Sequence, residues 1–175
     1  ISIAKKSLIQ IFAIDYALSP ENIFPSAIND AVSSYKELLK KGYQCQNIFF
    51  GGDSAGGNLA LVSTLKLQEL KMNLPSKLFL LSPWTDLTGD GRSIKINSKS
   101  DPYLSYNDWL NTARSMKRTV EEWYAPNQNY KSPLISPVFA QYSNFPETLI
   151  QVSDIEILYS DSVDLFTRMK EGKNK

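Results

Sequence analysis

Apolar positions along this chain fall into two kinds of run. Residues 7–14 (SLIQIFAI), Asn47 to Phe50, Lys77 to Ser82 (KLFLLS) and Thr148 to Val152 (TLIQV) are short and largely continuous in apolar character, which predicts buried strands. Between them the period changes. Ile28, Val32, Tyr35 and Leu39 recur at three- and four-residue spacing and predict a helix closed by Gly42; Leu59 to Leu70 predicts a second helix, which Pro75 keeps from continuing far. A third helix, carrying Val163, Phe166 and Met169, follows the last strand, and Gly51 to Gly57 reads as a turn between a strand and a helix.

Strands that alternate with helices and are apolar on both faces argue for a mostly parallel sheet covered on both sides, the α/β class. The expected architecture is therefore a doubly wound sheet. The interval from about 86 to 142 is too long for a simple crossover and holds Pro, Trp and Tyr, with helical character from Tyr106 to Trp123. Such an excursion above the carboxyl edge of a sheet can form a cap or lid, or one wall of a pocket. No repeat or low-complexity tract divides the chain, so residues 1–175 are read as a single unit. The first residue is Ile1 and a buried strand already follows at 7–14, so the unit is expected to be a piece of a larger domain, incomplete at both ends.

Composition narrows the partners. With 19 basic and 18 acidic residues the net charge is +1, and neither sign gathers into a block, so nucleic acid is not an expected partner. No apolar run reaches the roughly 18 residues of a membrane span; membrane association of a parent protein and a homodimer both stay open, with a cytoplasmic location as the default. The single cysteine, Cys45, lies beside Gly42 and Tyr43 in a predicted loop and has no internal disulfide partner. No cluster of Cys, His and carboxylates suggests a metal, and no cofactor is expected. The chain contains no histidine, which bears directly on the chemistry below.

Gly52-Asp53-Ser54-Ala55-Gly56 matches G-x-S-x-G between a predicted strand and a predicted helix. The pattern is weak alone and specific in that setting. A serine on a sharp turn of strained backbone projects its hydroxyl above the sheet edge, and the glycines at Gly52 and Gly56 are expected to avoid collisions there. The helix that begins here aims free N–H groups at the reaction centre, which makes the Ala55 N–H a candidate oxyanion donor. Asp53 is read as structural. A glycine-rich turn serving packing or phosphate binding is the plainer alternative, but neither a P-loop lysine nor G-x-G-x-x-G accompanies it.

The longer run Gly51-Gly52-Asp53-Ser54-Ala55-Gly56-Gly57-Asn58-Leu59-Ala60 resembles the hormone-sensitive lipase-like esterases, or acetyl esterase group, of the α/β-hydrolases. Asp15-Tyr16-Ala17-Leu18-Ser19-Pro20-Glu21 with Phe24-Pro25 is similar to the group's D-Y-R-L-A-P-E…F-P segment, with Ala17 where arginine is usual. Ser82-Pro83-Trp84 with Asp86-Leu87, Asp101-Pro102-Tyr103-Leu104-Ser105 and Ser136-Pro137 follow in the group's order, so the resemblance covers essentially the whole chain.

The resemblance implies a partial α/β-hydrolase catalytic domain that cleaves carboxylic esters of small or short-chain substrates through an acyl-enzyme on Ser54. It places the triad acid at Glu156, in Val152-Ser153-Asp154-Ile155-Glu156-Ile157-Leu158-Tyr159-Ser160-Asp161, where Ser153 replaces a common glycine and Ser160 a common acid. Asp154 is the fallback, and a helix N-terminal carboxylate is the plain reading of Glu156. Trp84 and Trp123 would line or support the pocket, although lone aromatics more often belong to the core. The group's H-G-G-G oxyanion loop and its histidine would lie outside this chain, upstream and downstream. Two other functions fit the same scaffold: a non-catalytic, receptor-like member that binds a small molecule, and a peptidase or formamidase.

Overall fold

The computed structural model describes residues 2–104 and 108–172. Ser105 and the first two residues of the predicted Tyr106–Trp123 helix lie outside that set. Among the described residues three parallel strands form one sheet in the order β1 (Phe49–Asp53), β2 (Lys77–Leu81), β3 (Glu147–Gln151). The registers Gly51↔Phe79 and Phe79↔Leu149 align the three carboxyl ends, so whatever follows each strand meets at one edge.

Helix α2 (Ser26–Lys40) packs on α3 (Ala55–Glu69), and α3 lies on the sheet with α6 (Tyr159–Glu171). The pattern of apolar residues explains this layering. Leu78 and Leu80 of β2 join Ala60, Leu61 and Leu65 of α3 and Leu165 and Met169 of α6 in one cluster. Ile28, Val32 and Tyr35 of α2 join Leu59, Val62 and Leu67 on the other side of α3 in a second cluster, which is why α3 is buried almost all round. Among the described residues the helices cover one face of the sheet, and on the opposite face Phe49 and Leu149 are 47% and 65% exposed.

Helix α2 ends as predicted at Gly42, whose φ of 92° lets its N–H reach Leu39 O while Tyr43 N–H reaches Leu38 O. Helix α3 ends in the same way at Lys71, with φ of 54°, four residues before Pro75. A lysine in that position carries no sequence signal.

Two expectations change. Residues 8–14 form no strand: they follow the short helix α1 (Ser2–Ser7) as an irregular segment with Leu8, Ile9, Ile11, Phe12 and Ile14 exposed. An apolar run becomes a strand only beside a hydrogen-bonding neighbour, and none of the described strands pairs with it. The segment is tied down by side chains, through Tyr43 OH donating to Gln10 and an edge-on contact of Phe12 with Tyr43. Strand β1 begins at Phe49, two residues later than predicted, after a 3₁₀ turn at Cys45–Asn47 that contains the lone cysteine, and it runs through Gly51 and Gly52. Gly51 leaves room there for the Phe79 ring of the neighbouring strand, which a Cβ would displace. Helix α6 falls where a helix is expected; in it Met169 is buried while Val163 and Phe166 are 37% and 55% exposed.

Polar contacts set which side of α6 faces inward. Its first turn buries Ser160, Asp161 and Ser162. Asp161 accepts the N–H groups of Thr85 and Asp86, both at 2.8 Å, and Ser160 N–H donates to Ser93 Oγ at 2.9 Å. These bonds fasten α6 to the chain leaving β2 and turn Leu165 inward. Burial pushes the Asp161 carboxyl up to about 7, against the opposing pull of the two backbone N–H groups.

The 86–142 excursion stands over the carboxyl edge as expected. It holds α4 (Arg92–Ile96), α5 (Trp109–Arg118), a π-helical turn at Thr119–Tyr124 and a 3₁₀ turn at Pro137–Phe139. It has a small core of its own, made of Leu87, Val120, Ala125 and Ile135. No helix among the described residues is long and apolar enough to cross a membrane.

Candidate active site at the strand-to-helix turn

Ser54 is the single residue between β1 and α3, with φ of 54° and ψ of −116°. A β-carbon-bearing residue at positive φ is strained, and here the surroundings impose it. Ser54 N–H donates to Leu81 O at 2.9 Å, while Ser54 O accepts from Asn58 N–H and Trp84 N–H, each at 3.1 Å. The two peptide groups flanking Ser54 are thus tied to the end of β2, the first turn of α3 and the loop after β2. Ala55 opens α3, where a first-turn N–H has no intrahelical acceptor, and Ala55 lines the same cleft as Ser54.

The flanking glycines divide. A Cβ on Gly52 would fall on the backbone of Gly56 and Gly57, and one on Gly57 would press on Pro83 at 2.9 Å. Gly56, expected from its spacing to avoid a collision, has nothing within 4 Å of its Cβ position. The tight approach at the elbow is between Gly52 and the backbone joining Gly56 to Gly57, while the helix turns the Cβ position of Gly56 itself outward. Gly52→Ala is therefore expected to cost about 1–3 kcal/mol or more through backbone displacement, whereas Gly56→Ala should leave thermal stability nearly unchanged. Unfolding midpoints of the two variants check this, and equal losses would contradict it.

The cleft above Ser54 measures about 250 Å³. Trp84, Leu104, Met116, Ile157 and Leu158 give it apolar walls, and Thr112, Ser115 and Thr119 add hydroxyls from one face of α5 and the turn after it. Trp84 is held by its Nε1–H donating to Asp86 O at 3.0 Å and by Asn58 Nδ2 donating to Trp84 O at 2.8 Å. Asn58, buried, also donates to Ile135 O at 3.0 Å, which fixes the excursion to the elbow helix. Trp123 is 47% exposed and does not line the cleft.

The two candidate acids sit differently on the loop between β3 and α6. Asp154 is exposed, while Glu156 is half-buried, immediately before the cleft residues Ile157 and Leu158. Glu156 Oε1 accepts from Ser153 N–H at 3.0 Å, closing a tight turn.

Asp101, noticed in the sequence only as part of a motif, is buried, and one oxygen accepts from Tyr103 and Leu104 N–H while the other accepts from Ile157 N–H. Burial works to raise its pKa, but the three backbone donors outweigh it and hold the carboxyl below its usual range. An Asp-Pro pair signals a local turn. Its bond to residue 157 has no counterpart in local sequence.

Comparison with known proteins adds an independent line. The family described as "alpha/beta hydrolase fold" matches residues 1–175. An esterase from Acinetobacter venetianus is 34% identical over 160 residues, 91% of this chain and 50% of that protein. An acetyl-hydrolase from Streptomyces hygroscopicus is 32% identical over 152 residues, covering 87% of this chain and 48% of that one. The crystal structure of a hormone-sensitive lipase from a metagenome library superposes with a TM-score of 0.89 at 37% identity, over 99% of this chain and 57% of the other. The chain thus spans about half the length of the relatives it matches.

Proposed function

Because the chain belongs to the alpha/beta hydrolase fold family, we propose that its parent is a serine hydrolase of small or short-chain carboxylic esters, with Ser54 as nucleophile. The observation that carries this is the backbone of Ser54, strained at φ of 54° at the end of β1 and lining an apolar cleft. Strain of that kind persists only where neighbouring structure enforces it. In the proposed reaction Ser54 Oγ attacks the ester carbonyl and its proton passes to a histidine. That histidine must come from outside these 175 residues, which contain none. The Ala55 N–H donates to the tetrahedral oxyanion; collapse forms the acyl-enzyme and releases the alcohol with the transferred proton. Water then repeats the sequence and frees the acid.

A cleft of about 250 Å³ walled by Trp84, Leu104 and Met116 supports short acyl groups. A series of p-nitrophenyl esters from acetyl to dodecanoyl, assayed with the full-length protein, tests this. The expected kcat/KM is highest for the short members and falls with chain length; absence of hydrolysis across the series would overturn the reading.

Glu156 is assigned the role of orienting the histidine, supported by its half-buried place beside Ile157 and Leu158. In the full-length protein Glu156→Gln should lower kcat by about 10²–10⁴-fold with the fold intact, and Asp154→Asn, on the exposed side of the loop, should change it less than about tenfold. The reverse ranking would move the acid to Asp154.

A further inference from the structure

The loop from Ser153 to Leu158 carries Glu156, and its conformation is not set by its own residues alone. Asn97, buried at the end of α4, uses one amide group twice: Nδ2 donates to Asp154 O at 2.8 Å and to Glu156 O at 2.7 Å. Ser100 Oγ donates to Ile155 O at 3.2 Å. Asp101 Oδ2 accepts Ile157 N–H at 2.8 Å. Four consecutive residues, 154 to 157, are therefore held by side chains of a single short segment, 97–101, that belongs to the excursion and not to the sheet.

We propose that Asn97 and Asp101 form a clamp that positions the Glu156 carboxylate for catalysis, with Ser100 as its weaker third contact. This rests on the assignment of Glu156 as the acid that orients the histidine. The two main anchors are complementary, one supplying donors to carbonyls and the other an acceptor to an N–H, so together they fix the peptide planes on both sides of residue 156. Asp101 also joins the clamp to the cleft wall, since its other oxygen accepts the N–H groups of Tyr103 at 2.8 Å and Leu104 at 2.9 Å. Leu104 lines the cleft with Ser54. A carboxylate that must meet an imidazole within a few tenths of an ångström needs such support, because a loop between a strand and a helix does not supply it. All three clamp residues are positioning residues; none lines the cleft.

The test uses the full-length protein with Ser100→Ala, Asn97→Ser and Asp101→Asn, each alone and combined with Glu156→Gln, and Ser54→Ala alongside. Asp101→Asn keeps the shape but leaves one acceptor oxygen for three N–H donors; Ser100→Ala, at an exposed position, is the variant least able to harm the fold. Turnover is expressed per serine titrated by a phosphonate, and thermal unfolding is recorded for each. Asn97→Ser and Asp101→Asn are expected to lower kcat by about tenfold or more with KM changed less than about twofold. They should also move the acid limb of kcat/KM to lower pH, because a displaced carboxylate no longer stabilises the imidazolium. In the Glu156→Gln background the same substitutions should add less than about twofold. Ser100→Ala should shift the limb in the same direction and by less.

Wild-type kcat and acid limb in folded variants would overturn the clamp, as would a loss of kcat that leaves the acid limb in place or that multiplies fully with the loss from Glu156→Gln. Retained turnover in Ser54→Ala would instead overturn the function on which the clamp rests, so the two failures are distinct.

Discussion

Ser54→Ala in the full-length protein is expected to lower turnover of a short-chain aryl ester by about 10⁴–10⁶-fold and to leave KM close to its wild-type value. The size follows from what the hydroxyl does. It makes and breaks a bond in each half-reaction, and nothing else on the cleft wall is placed as it is: Thr112, Ser115 and Thr119 bring hydroxyls to the cleft, but from helical backbone on the excursion. They have no adjacent first-turn N–H of the kind Ala55 provides. The fold should survive, because Ser54 anchors its neighbours through its backbone N–H and C=O, which alanine keeps. A folded Ser54→Ala protein with activity within tenfold of wild type would point to one of those other hydroxyls.

The 175-residue chain expressed by itself is expected to turn over the same ester at no more than the background rate. It contains neither a histidine nor an H-G-G-G stretch. Loss of the base costs about 10⁴–10⁶-fold and loss of one oxyanion donor a further ~10²–10³-fold, and triad members act as a unit rather than one by one. Ala55 N–H and the strained serine remain, but a positioned hydroxyl without a base to take its proton is too weak a nucleophile to raise the rate above background. Self-association is expected as well. Phe49 and Leu149 on the sheet and Leu8, Ile9, Ile11 and Phe12 on the irregular segment after α1 all stand open to solvent. Light scattering and a cooperative unfolding transition, measured beside the assay and beside a longer chain, separate the two causes. Efficient hydrolysis by the folded 175-residue chain that disappears on Ser54→Ala would falsify the claim that the base lies elsewhere.

The elbow was the most legible feature because its constraints are local. G-x-S-x-G between a strand and a helix demands one strained residue, and Ser54 takes that conformation. The resemblance read from Gly51 to Ala60 and from the later motifs agrees with the family that matches the whole chain. Helices α2 and α3 and strands β2 and β3 were legible for the same reason, each being specified by its own period or run.

What failed depended on partners distant in sequence. The apolar stretch at 8–14 has the composition of a strand, but pairing is a property of two segments, and no described strand lies beside it. Hydrophobic spacing placed α6 but cannot register Asp161 bonding to residues 85 and 86, some 75 positions earlier. Gly56 shared the spacing of Gly52 but not its contacts, a difference that arises only in the folded turn. Asn97 and Asp101 act across 56 to 59 residues of chain, so neither carried a local signal for the loop it holds.

The most direct test of the central claim is to label the full-length protein with a fluorophosphonate and map the adduct by peptide mass spectrometry. The account predicts one adduct per chain, on Ser54 within the peptide that contains Gly51 to Asn58. Modification at Thr112, Ser115 or Thr119 with Ser54 left free, or no modification of a protein that is hydrolysing ester, would contradict it.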